Sequence, residues 1–246
     1  MRRDESTRDV LPTAAIGVLE WFRSGEHARV ERVLGKLRAL GIERLRTGIS
    51  WADYLDEGGE AWYDWLLPRL AREVELLPCV VYTPPSLATA PKIQAPPRRP
   101  RDYADFLDHL ITRHGDCFEH VELWNEPNNL NDWDWTLDPG WERFAAMIGD
   151  AAYWMRERGR KTVLGGMCPT DPDWLRMMGE RGVLEHLDAV GVHAFPGSWE
   201  TVWDGWEATI DRVRTTYWTA YDNGNCAITI DARIAVPRLI SSQGKR

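Results

Sequence analysis

No run of about 18 apolar residues occurs anywhere in this chain, so nothing in it has the length and apolarity of a membrane-spanning helix. The amino terminus, Met1-Arg2-Arg3-Asp4-Glu5-Ser6, is charged and lacks the apolar stretch of a secretion signal behind it. Cysteine is scarce. Cys79, Cys117, Cys168 and Cys226 are widely scattered without metal-type spacing, and three lie in or beside expected strands, which reads as buried free thiols. There is no Gly-rich phosphate loop, no Gly-x-Ser-x-Gly elbow and no Cys/His set with zinc spacing, so neither a cofactor nor a metal is expected. Basic residues are outnumbered, 30 Lys and Arg against 38 Asp and Glu, for a formal charge of -8. That balance argues against nucleic acid or an anionic membrane as the main partner. The one basic cluster, Arg98-Arg99-Pro100-Arg101, and the acidic group Asp53, Asp56 and Glu57 read as solvated loops. These absences indicate a soluble, cytoplasmic protein.

What the chain does have is tryptophan, 14 in 246 residues, with 7 tyrosines. Core filling accounts for many of them. Others, among them Trp133, Trp135, Trp199 and Trp203, sit beside polar residues in expected loops. A flat apolar face with one polar edge suits the apolar face of a sugar ring.

The length fits one domain over 1–246, and the pattern alternates short β-type runs with longer helical ones, the signature of parallel β/α units. Strands are expected at 14–22, 44–49, 77–82, 120–124, 162–165, 189–194 and 226–230, with helices between them. The third run, Leu77 to Tyr82, is almost continuously apolar, as a strand buried on both faces should be. A doubly wound open sheet would give the same alternation. A (β/α)8 TIM-type barrel is preferred because Ser50-Trp51, Thr83, Asn125-Glu126, His193 and Asp231 gather at successive strand ends, where barrel enzymes keep their chemistry. Seven β/α units are recognisable. Only 15 residues follow Asp231, against roughly 30 per unit, and 232–246 reads as an irregular tail. Either the eighth unit is missing or altered, or the count is off by one near the start; the former is favoured. An incomplete barrel exposes strand edges, which predicts self-association.

Val121-Glu122-Leu123-Trp124-Asn125-Glu126-Pro127-Asn128 offers a carboxyl group at a strand end. Regular alternation would put Glu122, Trp124 and Glu126 on one side of the ribbon. At the mouth of an apolar barrel Glu126 would be desolvated and held protonated, as a general acid requires. The alternative is an ordinary strand-end carboxylate before a Pro-Asn-Asn turn. Trp124-Asn125-Glu126-Pro127-Asn128 resembles the strand-four signature of the clan A retaining glycoside hydrolases. With Asn129, Leu130 and Trp133 following, it is most similar to the family 39 β-xylosidase group.

The resemblance implies Glu126 as acid/base and Asn125 as the hydrogen-bond partner of the sugar 2-hydroxyl. Arg46 matches the clan's strand-two arginine that supports the nucleophile, and His193 the strand-six His/Tyr position. Trp21, at the end of the first strand, matches a sugar-contacting position, and Trp124 and Trp133 join the expected substrate-binding set. The nucleophile position, a Glu in the clan, is Asp231 here, within Ala227-Ile228-Thr229-Ile230-Asp231. One fewer methylene withdraws the carboxylate by roughly 1.5 Å, while retaining chemistry needs about 5–5.5 Å between the two carboxyl groups. Two functions therefore stand open: a retaining glycosidase acting on β-linked sugars, xylosides among them, or a catalytically impaired barrel that binds carbohydrate or is a degenerate remnant. A third, a phosphate-metabolite enzyme, would want a Gly-rich anion site after strands seven and eight. Only Gly224 stands there, ahead of the seventh strand.

Overall fold

A computed structural model describes residues 16–193, 200, 204–220 and 227–231, from residue 217 onward by backbone alone. The strands are β1 (Val18–Leu19), β2 (Arg44–Ser50), β3 (Glu75–Val81), β4 (His120–Leu123), β5 (Lys161–Met167), β6 (Ala189–His193) and β7 (Ala227–Asp231). The helices are α1 (His27–Leu40), the short α2 (Trp51–Leu55), α3 (Gly59–Ala71), α4 (Arg101–His114), α5 (Glu142–Glu157), α6 (Pro172–Glu180) and α7 (Trp206–Ala220). Every adjacent strand pair is parallel, and the order across the sheet is β1 to β7, so each strand lies beside its neighbours in sequence. Six strands each lead into a helix. β7 is followed by 232–246, the stretch expected as an irregular tail, which lies outside the described residues.

Local chemistry explains the element bounds. In α1, Val30, Leu34 and Leu37 repeat at helical spacing and bury against the sheet. The helix stops at Gly41, whose φ of 66 lets its N–H and that of Ile42 fold back onto Arg38 and Leu37 carbonyls. Ser50 closes β2 and starts α2 at once, its hydroxyl accepting from the Asp53 N–H at 3.0 Å. β2 and β3 pair along their full seven residues. β1 was expected over 14–22 but pairs only at Val18 and Leu19, against Leu45 and Arg46; residues 14 and 15 lie outside the described residues.

The two faces of the sheet differ. Outward, Ile49, Val80, Leu123 and Leu164 meet the helices in a continuous apolar core. An aromatic chain runs through it from α4 to α6, Tyr103 to Trp124 to Trp133 to Phe144 to Trp174, with successive ring centroids 5.1–5.9 Å apart. Inward, the strands surround a cavity of about 300 Å³ bordered by Arg44, Arg46, Glu75, His120, Glu122 and His193. Two glycines shape that face. A Cβ on Gly48 would lie 2.0 Å from the Trp21 ring, and one on Gly166 would lie 2.2 Å from the His193 ring. Both side chains can lie across the sheet only because these positions carry none.

Cys79 and Cys168 are buried free thiols and Cys117 is half-buried; Cys226 lies outside the described residues. Among the described residues no helix is long and apolar enough to cross a membrane. The basic cluster is engaged with its own chain, Arg98 with the Ala88 carbonyl at 2.7 Å and Arg101 with Asp105 at 3.2 Å.

Candidate active site

β4 carries the site. Glu122 points into the barrel, 2 % exposed, where Arg46 grips it from β2 with Nε at 2.5 Å and Nη2 at 2.9 Å. The Gly166 N–H adds a bond to the same carboxylate at 3.3 Å. A charge so deep in the interior requires such pairing. Glu122 was read as a neighbour of Glu126 along the ribbon, and its part as the partner of Arg46 was missed.

At Trp124 the strand leaves regular geometry. Its φ is 73, and Glu126 follows with φ 38, both in the left-handed region. Tyr82, at the end of β3, is a third such residue with φ 69. Non-glycine residues in that region cost of order 1–3 kcal/mol each and cluster where function fixes the backbone. The expected alternation therefore breaks. Trp124 does not share a side with Glu122 but turns to Tyr103 and Trp133, its indole Nε1 donating to the Asp132 carbonyl at 3.0 Å. This corrects the expectation that Trp124 contacts substrate. Trp133 is corrected on the same ground, being 0 % exposed between Trp124 and Phe144. Neither ring has a free face. Of the other loop tryptophans, Trp135 is exposed, while Trp199 and Trp203 lie outside the described residues.

The left-handed turn delivers Asn125 and Glu126 to the C-terminal rim. Glu126 Oε1 lies 3.1 Å from Nδ1 of His193, at the end of β6, and Oε2 accepts from Asn129 Nδ2 at 3.1 Å. The other ring nitrogen of His193 faces Glu122 Oε1 at 4.0 Å, so the imidazole stands between two carboxylates. Asn125 Oδ1 accepts from Arg46 Nη2 at 2.8 Å. Arg46, Asn125, Glu126 and His193 are thus brought together. Trp21, half-buried over Gly48, faces Tyr82 with ring centroids 6.4 Å apart. Asp231 is described through its backbone, which pairs with His193 in the β6–β7 register. Both residues end their strands at the same rim.

Three members of the cluster were not anticipated. Asp132, in the loop after β4, takes the Tyr82 hydroxyl at 3.1 Å. Its carboxyl is pushed up to about 6, by burial first and by the charge of Glu126 second. Burial, then the charge of Asp132, raises the Tyr82 phenol. Cys168, after β5, bonds Glu126, and burial above all pushes its thiol up, which makes it an inert neutral neighbour. The backbone N–H of Cys168 donates to Asn128 Oδ1 at 2.9 Å, and Asn128 Nδ2 donates to the Pro169 carbonyl at 2.8 Å, tying the rims of β4 and β5 together. No group of three His, Cys, Asp or Glu among the described residues is arranged to hold a metal ion.

No protein-family model matches the chain, and no curated protein does. Solved structures do. The catalytic domain of the GH30 xylanase C from Talaromyces cellulolyticus aligns with 73% of this chain and 52% of its own, at TM-score 0.54 and 15% identity. The GH20 β-N-acetylhexosaminidase from Streptomyces coelicolor A3(2) aligns with 87% of this chain and 47% of its own, at TM-score 0.51 and 11% identity. The chain spans about half the length of the solved chains it matches. What the chain shares with them is a curled half-barrel of parallel strands flanked by helices. At such identities the likeness carries the architecture, and the chemistry has to be argued from the site.

Proposed function

We propose that this chain is a glycoside hydrolase acting on β-linked sugars by the two-carboxylate retaining mechanism, of the family 39 xylosidase kind. The observation that carries the reading is the Glu126 carboxyl group, held at the end of β4 by His193 at 3.1 Å beside an Asn125 amide anchored on Arg46. In this reading Glu126 gives its proton to the glycosidic oxygen as that bond breaks, and Asp231 attacks the anomeric carbon. Glu126 then takes a proton from water, whose oxygen displaces Asp231 from the sugar. Asn125 binds the 2-hydroxyl and Trp21 lies under a ring.

A second reading, a barrel that binds sugar without turning it over, draws on a different feature. Both Glu126 oxygens already have protein partners, His193 and Asn129. One experiment separates the two. Wild type and Glu126→Gln are assayed on aryl β-xyloside, β-glucoside and α-arabinoside, with xylo-oligosaccharide binding measured calorimetrically beside them. The hydrolase reading expects turnover that falls about 10²-fold or more in the variant. Binding without turnover in folded wild type would leave the second reading, and neither binding nor turnover would remove both.

A further inference from the structure

Asn129 directly follows the strand-four motif, and the reaction proposed above gives it no part. Two bonds join it to Glu126, three positions earlier. Its N–H donates to the Glu126 carbonyl at 2.8 Å, closing the turn Glu126-Pro127-Asn128-Asn129, and its Nδ2 donates to Glu126 Oε2 at 3.1 Å. The other end of the amide is used within the loop: Oδ1 accepts from the Asn131 N–H at 3.1 Å, an Asx-type bond across two residues. A backbone N–H can only donate, so this bond fixes which end of the Asn129 amide is oxygen and turns the nitrogen toward Glu126. The Asn129 carbonyl accepts from the N–H groups of Asp132 and Trp133, at 3.0 Å each. The residue that holds the carboxyl group is itself held at main chain and side chain.

The two oxygens of Glu126 are therefore not equivalent. An amide nitrogen offers only protons, so Oε2 meets Asn129 with a lone pair. Oε1 faces Nδ1 of His193 at 3.1 Å, and an imidazole nitrogen can donate or accept. We infer that Asn129 is a positioning residue for Glu126: it fixes the rotation of the carboxyl group, makes Oε2 the accepting oxygen and places the proton that Glu126 gives up on Oε1, at the contact with His193. The catalytic consequence rests on the glycosidase reading; the placement of the proton does not. A donor to the carboxylate favours its ionised form, so Asn129 also limits the pH range over which Glu126 keeps its proton. On this inference the partners of Glu126 align the acid rather than block it. The charged groups nearest the pair are Glu122 of β4, 4.0 Å from the other ring nitrogen of His193, and Arg46 of β2 beneath it. The charge of Glu126 reaches Tyr82 at the end of β3, Asp132 in the loop after β4 and Cys168 after β5. On β7, Asp231 is the register partner of His193.

The test uses the whole chain with 13C in the glutamate carboxyl groups and 15N in the histidine rings, the two signals being assigned by their loss in Glu126→Gln and His193→Asn. Asn129→Ser is too short to reach Glu126 but keeps an oxygen for the Asn131 N–H, so the turn stays closed. In that variant the Glu126 carboxyl should keep its proton to higher pH than in wild type, by about half a pH unit or more. Asn129→Asp also keeps the bond to Asn131 and replaces the donor by a like charge, so the midpoint should rise further. In every protein the Nδ1 signal of His193 should step where the Glu126 carboxyl does. With folding checked by circular dichroism, a Glu126 midpoint unmoved in either variant overturns the role of Asn129. A His193 ring that does not sense the step, in wild type already, overturns the placement on Oε1. Where turnover is present, Asn129→Ser should carry the basic limb of kcat/KM upward in pH with the carboxyl. A merely structural Asn129 would scale the rate at every pH and leave the limb in place, which overturns the inference. Absence of turnover in wild type removes the proposed function alone, and the titrations then decide.

Discussion

The layer outside the sheet and the layer inside it are built on opposite principles. Outside, Tyr103, Trp124, Trp133, Phe144 and Trp174 interlock edge to face or tilted, fully or nearly fully buried. Inside, a 300 Å³ cavity is bordered by apolar side chains such as Leu45, Leu77 and Val163 together with charged ones, and its buried ion pair is Arg46 with Glu122. Area removed from water stabilises the first arrangement at roughly 25 cal/mol per Å². The second gains little net stability, because desolvation of both ions offsets their attraction. The outer layer holds the fold together, and the inner one gives up stability to keep polar groups in fixed positions below the rim.

The sharpest way to break that contrast is to open the outer layer. Phe144→Ala removes the ring between Trp133 and Trp174 from a site with no exposure. The expected loss is about 3–5 kcal/mol, read as a lower urea midpoint at unchanged slope. Because the ring partners of Phe144 are Trp133, Trp141 and Trp174 in the outer layer, any turnover should fall only with the folded fraction. A loss below about 1 kcal/mol would mean that the aromatic chain is not what supports the sheet.

Next in size is the inner pair. Arg46→Met strands the Glu122 charge in the interior and should cost about 3 kcal/mol, the low end for a broken buried pair, since the adjoining cavity lets water approach. Replacing both, Arg46→Met with Glu122→Met, should return stability close to wild type while leaving Asn125 without its anchor. Were the double variant to lose as much as Arg46→Met alone, the pair would be a net stabiliser, and the contrast between the layers would fail.

How far the sequence carries this picture follows the same division. The outer layer was legible, because helical and strand periodicities are local: Val30, Leu34 and Leu37 announce the buried face of α1, and the run after Leu77 announces a strand buried on both sides. Strand bounds moved by one to three residues at most ends, as fraying allows, and β1 shrank to two paired residues. Arg46, Asn125, Glu126 and His193 were legible through the resemblance at strand four and the order of the strands. Asp132 and the partnership of Arg46 with Glu122 were not, since contacts across 50 and 76 positions leave no mark in spacing. Trp133 was read as a loop tryptophan from its polar neighbours, which do not show that it packs between Trp124 and Phe144, and Trp124 was misplaced for a different reason. Period-two alternation assumes β geometry, and a residue at φ 73 sends the following side chains elsewhere. A Pro at 127 was the visible hint that the ribbon ends there, and it does not fix which way Trp124 turns.

The smallest expected effect concerns Asp132, whose position joins the two layers: its carbonyl holds the outward Trp124, and its carboxyl faces the inward cluster. The folded carboxyl titrates at about 6 against a reference of 3.8. Between those values the native state keeps a proton that the unfolded chain has released, so stability falls as pH rises through the window. Below about pH 4 there is no penalty. Above about pH 6 it is complete, and a shift of that size corresponds to about 3 kcal/mol at most. Asp132→Asn removes the charge and keeps the shape, but an amide oxygen is a poorer acceptor for Tyr82 than a carboxylate. The net expectation is a gain of about 1–2 kcal/mol at pH 7.5 that vanishes at pH 4, read from urea midpoints at the two pH values. Equal midpoint changes at both would show that burial of this carboxyl costs the fold nothing. A gain confined to the higher pH would place Asp132 with Arg46 and Glu122, among the residues whose positions are kept at the expense of stability.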